Sequence, residues 1–219
     1  SAVRSLEGKK VGIVGSCKSS LEEQFLLNRL AKGLKATKFL RGHFGEDDGI
    51  LLSADRTPNL RGALVTGLAS SYPKDHLSPL AQALKKDKLE ALLVVGEDLI
   101  DSKVDAELLS GVQVVYLGTH ENATSNLAQV VIPTLTSFEK SGSFVNRGFF
   151  LQRFQQAVPG PAGLLPDVHV LARLVKGLTG QEEVANDLDS IWKEMGRSST
   201  SPLRGLSFSD TEKDGIQLD

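Results

Sequence analysis

Cysteine is nearly absent from this chain: Cys17 is the only one among 219 residues. A single cysteine closes no internal disulfide, completes no structural zinc site and ligates no iron–sulfur cluster. An excess of charge of one sign is missing too. The 25 basic and 27 acidic residues leave a net charge of -2. A dedicated nucleic-acid or membrane-surface binder would show a basic excess, so no nucleic-acid partner is expected. No apolar run approaches the ~18 residues of a membrane span, and direct membrane insertion is not expected. The opening residues show no charged-then-apolar leader pattern, and the expectation is a cytoplasmic setting. Histidine is sparse. His43, His76, His120 and His169 lie too far apart in sequence for a metal-ligand spacing.

Three apolar, β-branched runs are present, and each ends in a glycine followed by polar residues. They are Val11 to Gly15 before Ser16, Leu92 to Gly96 before Glu97 and Asp98, and Val112 to Leu117 before Gly118, Thr119 and His120. Continuous apolar runs of this length read as strands buried on both faces. Helical patterns lie between them, which predicts βαβ units and an α/β fold: an open, mainly parallel, Rossmann-like sheet flanked by helices.

Ser20 and Glu23 form a capping box ahead of an apolar stripe of Leu26, Leu27, Leu30, Ala31 and Leu34. A second helix is expected from about Asn59 to Leu68, and a third with Ser78 as cap and Pro79 as first residue. Residues 38–59 read as a loop with at most one short strand. Residues 134–158 read as irregular strand and loop. A further helix starts at Asp167, with Gly177 as its stop. The organisation expected is an α/β domain over residues 1–178, an amphipathic helix within 179–197, and a mobile acidic tail over 198–219. Residues 179–219 hold nine acidic against four basic residues. Thr179 and Glu182 are expected to cap the helix, whose stripe carries Val184, Leu188, Ile191, Trp192 and Met195. That stripe is expected to pack on its own domain.

In an open parallel sheet, ligands sit outside the carboxyl ends of the strands. Gly15, Gly96 and Gly118 would let a ligand approach the backbone closely. Ser16, Glu97, Asp98, Thr119 and Asn122 in the following turns are expected to face a common crevice. The turn after the first strand does not read G-x-G-x-x-G, so a nicotinamide site is not expected, and no G-x-x-x-x-G-K-[ST] loop occurs. Cys17 precedes a helix, where a thiol can be acidic, but a lone cysteine beside an apolar strand reads as packing. No G-x-S-x-G elbow is found. The residues alone offer no catalytic group and no metal site.

The stretch from Val112 to Gln152 resembles the molybdopterin-oxidoreductase superfamily. Ala128-Gln129-Val130-Val131-Ile132-Pro133 is similar to its A-D-V-V-L-P motif. Glu139, Gly142, Ser143, Asn146 and Gln152 follow its E-x-x-G-T-x-x-N-x-E-G-R-x-Q motif. Asn59-Leu60-Arg61-Gly62-Ala63 falls where the superfamily has N-x-x-G-A, and Pro161 to Leu178 resembles its closing segment. The resemblance covers roughly residues 8–178. Within the superfamily, Glu139-Lys140 and the short connections look most like the large iron–sulfur subunit of NADH-quinone oxidoreductase, the respiratory complex that passes electrons from NADH to quinone.

That resemblance implies a parent chain with iron–sulfur clusters, other subunits of a respiratory complex as partners, and a position peripheral to the inner membrane. One cysteine supplies no cluster, so the chain is expected to be a fragment or a shortened relative, a scaffold with no cofactor of its own. Gly148-Phe149-Phe150 stands where cofactor-binding members have E-G-R. Gln129 replaces the aspartate, and Glu97 and Asp98 are expected to repel phosphates. The alternative is a domain binding molybdopterin guanine dinucleotide in a molybdenum enzyme such as a formate dehydrogenase.

Overall fold

The glycine-ended apolar runs form the middle of a parallel sheet. This is seen in a computed structural model that describes residues 2–86, 88–197, 201–212 and 215–218. The strands are β1 (Val11–Ser16), β2 (Thr37–Arg41), β3 (Ala91–Val95), β4 (Gln113–Gly118) and β5 (Val130–Pro133), in the order β2-β1-β3-β4-β5 with every pairing parallel. Side chains alternate between two cores, as the strand period of two requires. Ile13, Leu93, Val95, Val115 and Leu117 enter one core, and Val14, Leu92, Val94, Val114 and Tyr116 enter the other. Both faces are covered, which is why the strands read as unbroken apolar runs.

Among the described residues six α-helices flank the sheet and its connections: α1 (Leu21–Leu34), α2 (Leu60–Val65), α3 (Ser78–Lys85), α4 (Ala123–Leu127), α5 (Asp167–Thr179) and α6 (Leu188–Met195). The first core packs α1 and α5 through Leu26, Leu27, Leu30, Leu171 and Val175; the second packs α3 through Leu80 and Leu84. A second, antiparallel sheet joins β6 (Gly142–Val145), β7 (Phe150–Phe154) and β8 (Ile216–Gln217).

The capping box of α1 is present in both directions. Three expected helix ends differ. Leu77, not Ser78, precedes α3, and Pro79 lies within its first turn, where a missing N–H costs nothing. Helix α5 runs through Gly177 and stops at Gly180, whose φ of +71° is the left-handed conformation glycine tolerates. Thr179 therefore belongs to α5, where its hydroxyl donates to the Val175 carbonyl at 2.7 Å. The cap of α6 is Asp187, which accepts from the Ser190 N–H at 2.9 Å.

The expected internal packing of α6 is observed. Ile191 and Trp192 are fully buried, and Arg29 holds the helix to α1 through two 2.6 Å contacts to Glu194. Leu188 is only partly buried, so Ile191 and Trp192 form the anchor instead. The Trp192 indole donates to Glu22 Oε1 at 2.8 Å, and Glu22 also accepts from the Ser143 N–H and hydroxyl. A blue-shifted tryptophan emission is the expected result, and Glu22→Ala is expected to destabilise the chain, because the buried indole N–H loses its acceptor. Urea denaturation followed by tryptophan fluorescence checks both.

The segment expected to be a mobile tail packs on the domain over its described residues. Leu203 and Leu218 are buried, and the Phe208 ring lies 6.3 Å from Trp192. β8 pairs with β7, and the Leu218 N–H donates to the Phe149 carbonyl at 2.9 Å. A few apolar anchors and one backbone ladder fix a segment whose average composition is polar. Ser198 to Thr200, Lys213, Asp214 and Asp219, also assigned to that tail, lie outside the described residues.

Candidate functional site

The first turn of α1 is polar and buried, because it closes the end of β1. Gln24 donates to the carbonyls of Ser16 and Asn59, at 3.2 Å and 3.1 Å. The fully buried Asn59 donates to the Ser19 carbonyl at 2.8 Å and accepts from the Val145 N–H at 2.8 Å. A Cβ at Gly62 would overlap the Asn59 amide, which explains the N-x-x-G spacing. These bonds hold the loop after β1 against β6.

With the order β2-β1-β3-β4-β5, the strand order reverses between β1 and β3, the place where such sheets bind ligands. Part of that crevice is filled by Glu97. The Ser16 hydroxyl donates to Glu97 Oε1 at 3.0 Å, and Glu97 Oε2 lies 3.4 Å from His43 Nε2. Glu97 is only 2% exposed. Asp98 also turns away. It accepts from the Thr124 hydroxyl and the Ile100 N–H, at 2.8 Å and 3.0 Å. Burial raises its pKa, but these and neighbouring donors outweigh burial and hold it below the usual carboxylate range. Asn122 caps α4 and donates to the Tyr116 hydroxyl at 2.6 Å. Gly15 is buried within β1.

Of the eight expected residues, Ser16, Gly96, Gly118 and Thr119 do line one groove of 540 Å³; Gly15, Glu97, Asp98 and Asn122 do not. The groove lies over the ends of β1, β3 and β4 and is bordered by residues 134–138 and Lys140. Gly96 has a φ of +66° and forms an exposed part of the rim. Lys18, His120 and Lys140 bring the groove its basic groups, joined by the hydroxyls of Ser19 and Ser137. The Thr119 hydroxyl is 2.8 Å from His120 Nδ1. The expected repulsion of phosphates by Glu97 and Asp98 therefore does not arise from the lining.

The floor is a charge cluster. Lys140 Nζ lies 2.7 Å from Glu23 Oε1 and 3.0 Å from Asp167 Oδ2. Burial pulls the Lys140 pKa down, but the two carboxylates outweigh it and hold the ammonium above its ordinary value. Asp167 is pushed up to about 6 by burial first and by the Glu23 charge second, with Lys140 opposing both. No sequence spacing links residues 23, 140 and 167. The one visible signal was Lys140 inside the E-x-x-G motif. A second groove, of 520 Å³, lies on the other side of this cluster.

Cys17 lies behind the wall, fully buried. Burial pushes its thiol up to about 12, with Glu97 and Asp55 adding to the effect, so it is no nucleophile. A thiol reagent is expected to leave the folded chain unlabelled at neutral pH and to modify it fully in denaturant. Among the described residues no His, Cys, Asp and Glu group could hold a metal ion, and no helix is long and apolar enough to cross a membrane.

Comparison with known proteins agrees with this arrangement. The family model of molybdopterin oxidoreductase matches residues 8–177. The formate dehydrogenase-like protein YrhE of Bacillus subtilis is 32% identical over 133 residues, which is 57% of this chain and 13% of that protein. The alpha subunit of F420-dependent formate dehydrogenase 2 of Methanococcus maripaludis is 28% identical over 141 residues, 60% of this chain and 20% of that subunit. The alpha subunit of the corresponding Methanocaldococcus jannaschii enzyme is 32% identical over 94 residues, 42% of this chain and 14% of that subunit. The chain thus matches well under two thirds of the length of each. These relatives are formate dehydrogenases, which shifts the balance away from the NADH-quinone oxidoreductase subunit that the motifs most resemble.

Proposed function

Because this chain belongs to the molybdopterin oxidoreductase family, we propose that it is a dinucleotide-holding domain of a formate-dehydrogenase-like molybdenum enzyme. The group it would hold is molybdopterin guanine dinucleotide, which supplies the redox chemistry when bound. The observation that carries this reading is the donor set of the 540 Å³ groove. Lysines, a histidine and hydroxyls line it, the lining carboxylates Glu23 and Asp167 are paired with Lys140, and the Glu97 and Asp98 carboxylates are engaged elsewhere. Charge-assisted donors of this kind suit a diphosphate. Lys18 at the exposed rim would offset phosphate charge, and His120, Ser19 and Ser137 would donate hydrogen bonds. The glycine rim at Gly96 leaves room for a ligand against the backbone.

The rest of the enzyme, including its iron–sulfur clusters and partner subunits, would be supplied by longer stretches of the parent protein and by neighbouring chains. A soluble enzyme acting in the cytoplasm fits this reading. One observation favours the scaffold reading instead: the partly buried Phe150 stands where cofactor-binding members carry arginine. In that reading the groove takes no dinucleotide and the parent is the respiratory complex.

Calorimetric titration with a symmetrical diguanosine diphosphate diester separates the two. Saturable micromolar binding is expected. Thr119→Trp, a change at an exposed groove residue, is expected to abolish it without loss of fold. No binding by the unaltered chain would return the scaffold reading to first place.

A further inference from the structure

The two grooves meet at one cluster: Glu23, Leu135, Lys140 and Asp167 line both. Two carboxylates share one ammonium there, and neither is more than 6% exposed. With all three groups ionised, the shared floor carries one surplus negative charge. An anion settling beside Lys140 therefore meets a carboxylate that solvent screens poorly. The two acids are not equivalent. Glu23 is fixed in place, its Oε2 accepting the Ser20 N–H at 3.1 Å in the capping box and its Oε1 lying at the shorter distance from Lys140. Asp167 has the longer contact to Lys140 and a 3.3 Å bond from the Leu135 N–H.

Resting on the dinucleotide reading above, we propose that Asp167 is the proton-taking partner of the groove. An anionic diphosphate binds together with one proton, which Asp167 holds, and the Lys140 charge passes from Asp167 to the anion. The proton comes from solvent and returns to it when the anion leaves. Glu23 from α1 favours that proton, and Lys140 and the Leu135 N–H oppose it. Glu139, Asp187, Asp189 and His169 line the second groove with Asp167, and Lys18 and His120 line the first. The upward displacement of the Asp167 pKa places the uptake near neutral pH.

The test uses the same diguanosine diphosphate diester, whose phosphates hold a constant charge over the range examined. Its affinity is expected to fall about tenfold or more from pH 6 to pH 8, the slope of up to one proton taken up per ligand. Calorimetry in buffers of different ionisation enthalpy counts that proton directly. Asp167→Asn is expected to flatten the slope and to keep tight binding at pH 8. His120→Gln is expected to leave most of the slope in place. Binding without proton uptake, or a slope unchanged in Asp167→Asn, would overturn the proposal and leave the dinucleotide reading standing. If Asp167→Asn does not fold, the proton count of the unaltered chain decides. No binding at any pH would overturn both.

Discussion

Asn59→Leu is expected to destabilise the chain by about 3–5 kcal/mol, because buried groups left without partners cost roughly 1–3 kcal/mol each. The substitution removes the acceptor of the Val145 N–H and the donors to the Ser19 carbonyl and to Gln24. All of these groups are buried, so water does not replace the lost bonds. Urea denaturation should show a lower midpoint with an unchanged slope. Gly62→Ala tests the same contact from the other side. Its added methyl would overlap the Asn59 amide. Combined with Asn59→Ala, which clears that space, Gly62→Ala should cost less than it does alone. The coupling should be about 1 kcal/mol, as expected for residues in contact. Strict additivity would mean that the loop moves aside and that the Asn59 amide does not lock β6.

Much of this framework can be read from local sequence. The strands announce themselves as apolar runs because both faces are buried. Ser20 and Glu23 mark the start of α1 because a capping box is made by residues three apart. The site was half legible. The parallel sheet follows from the βαβ pattern, and the strand ends put Ser16, Gly96, Gly118 and Thr119 on one groove. The direction of Glu97 was not legible. Its carboxylate is drawn into the β1–β3 crevice by Ser16, which is 81 positions away. Lys140, Glu23 and Asp167 meet only when the segment after β5 crosses the first turns of α1 and α5. The packing of the closing segment was not legible for the same reason, since pairing of β8 with β7 uses backbone groups that every residue carries.

Lys140→Met should cost about 3–5 kcal/mol at pH 8, the usual loss when one partner of a buried ion pair is removed. Methionine fills much of the same space, so the loss is chiefly electrostatic. Two carboxylates, Glu23 and Asp167, would then face each other in a buried site without a cation. The loss should shrink towards pH 5.5, where one carboxylate takes up a proton. In the unaltered chain Asp167 is already raised to about 6, above the roughly 3.9 of an unfolded aspartate. A folded pKa above the unfolded one gives stability that is fully present below pH ~4 and is lost as pH rises through about 6. The unaltered chain should therefore lose some of its stability between about pH 4 and pH 6, and Asp167→Asn should remove that loss. In the Lys140→Met background, Asp167→Asn should recover a large part of the stability at pH 8, because it deletes the surplus charge. Urea midpoints at pH 5.5 and 8 for the four proteins complete the cycle. Equal destabilisation by Lys140→Met at both pH values would show that the carboxylates are hydrated once the lysine is gone, and that the cluster is not a closed, charge-balanced floor.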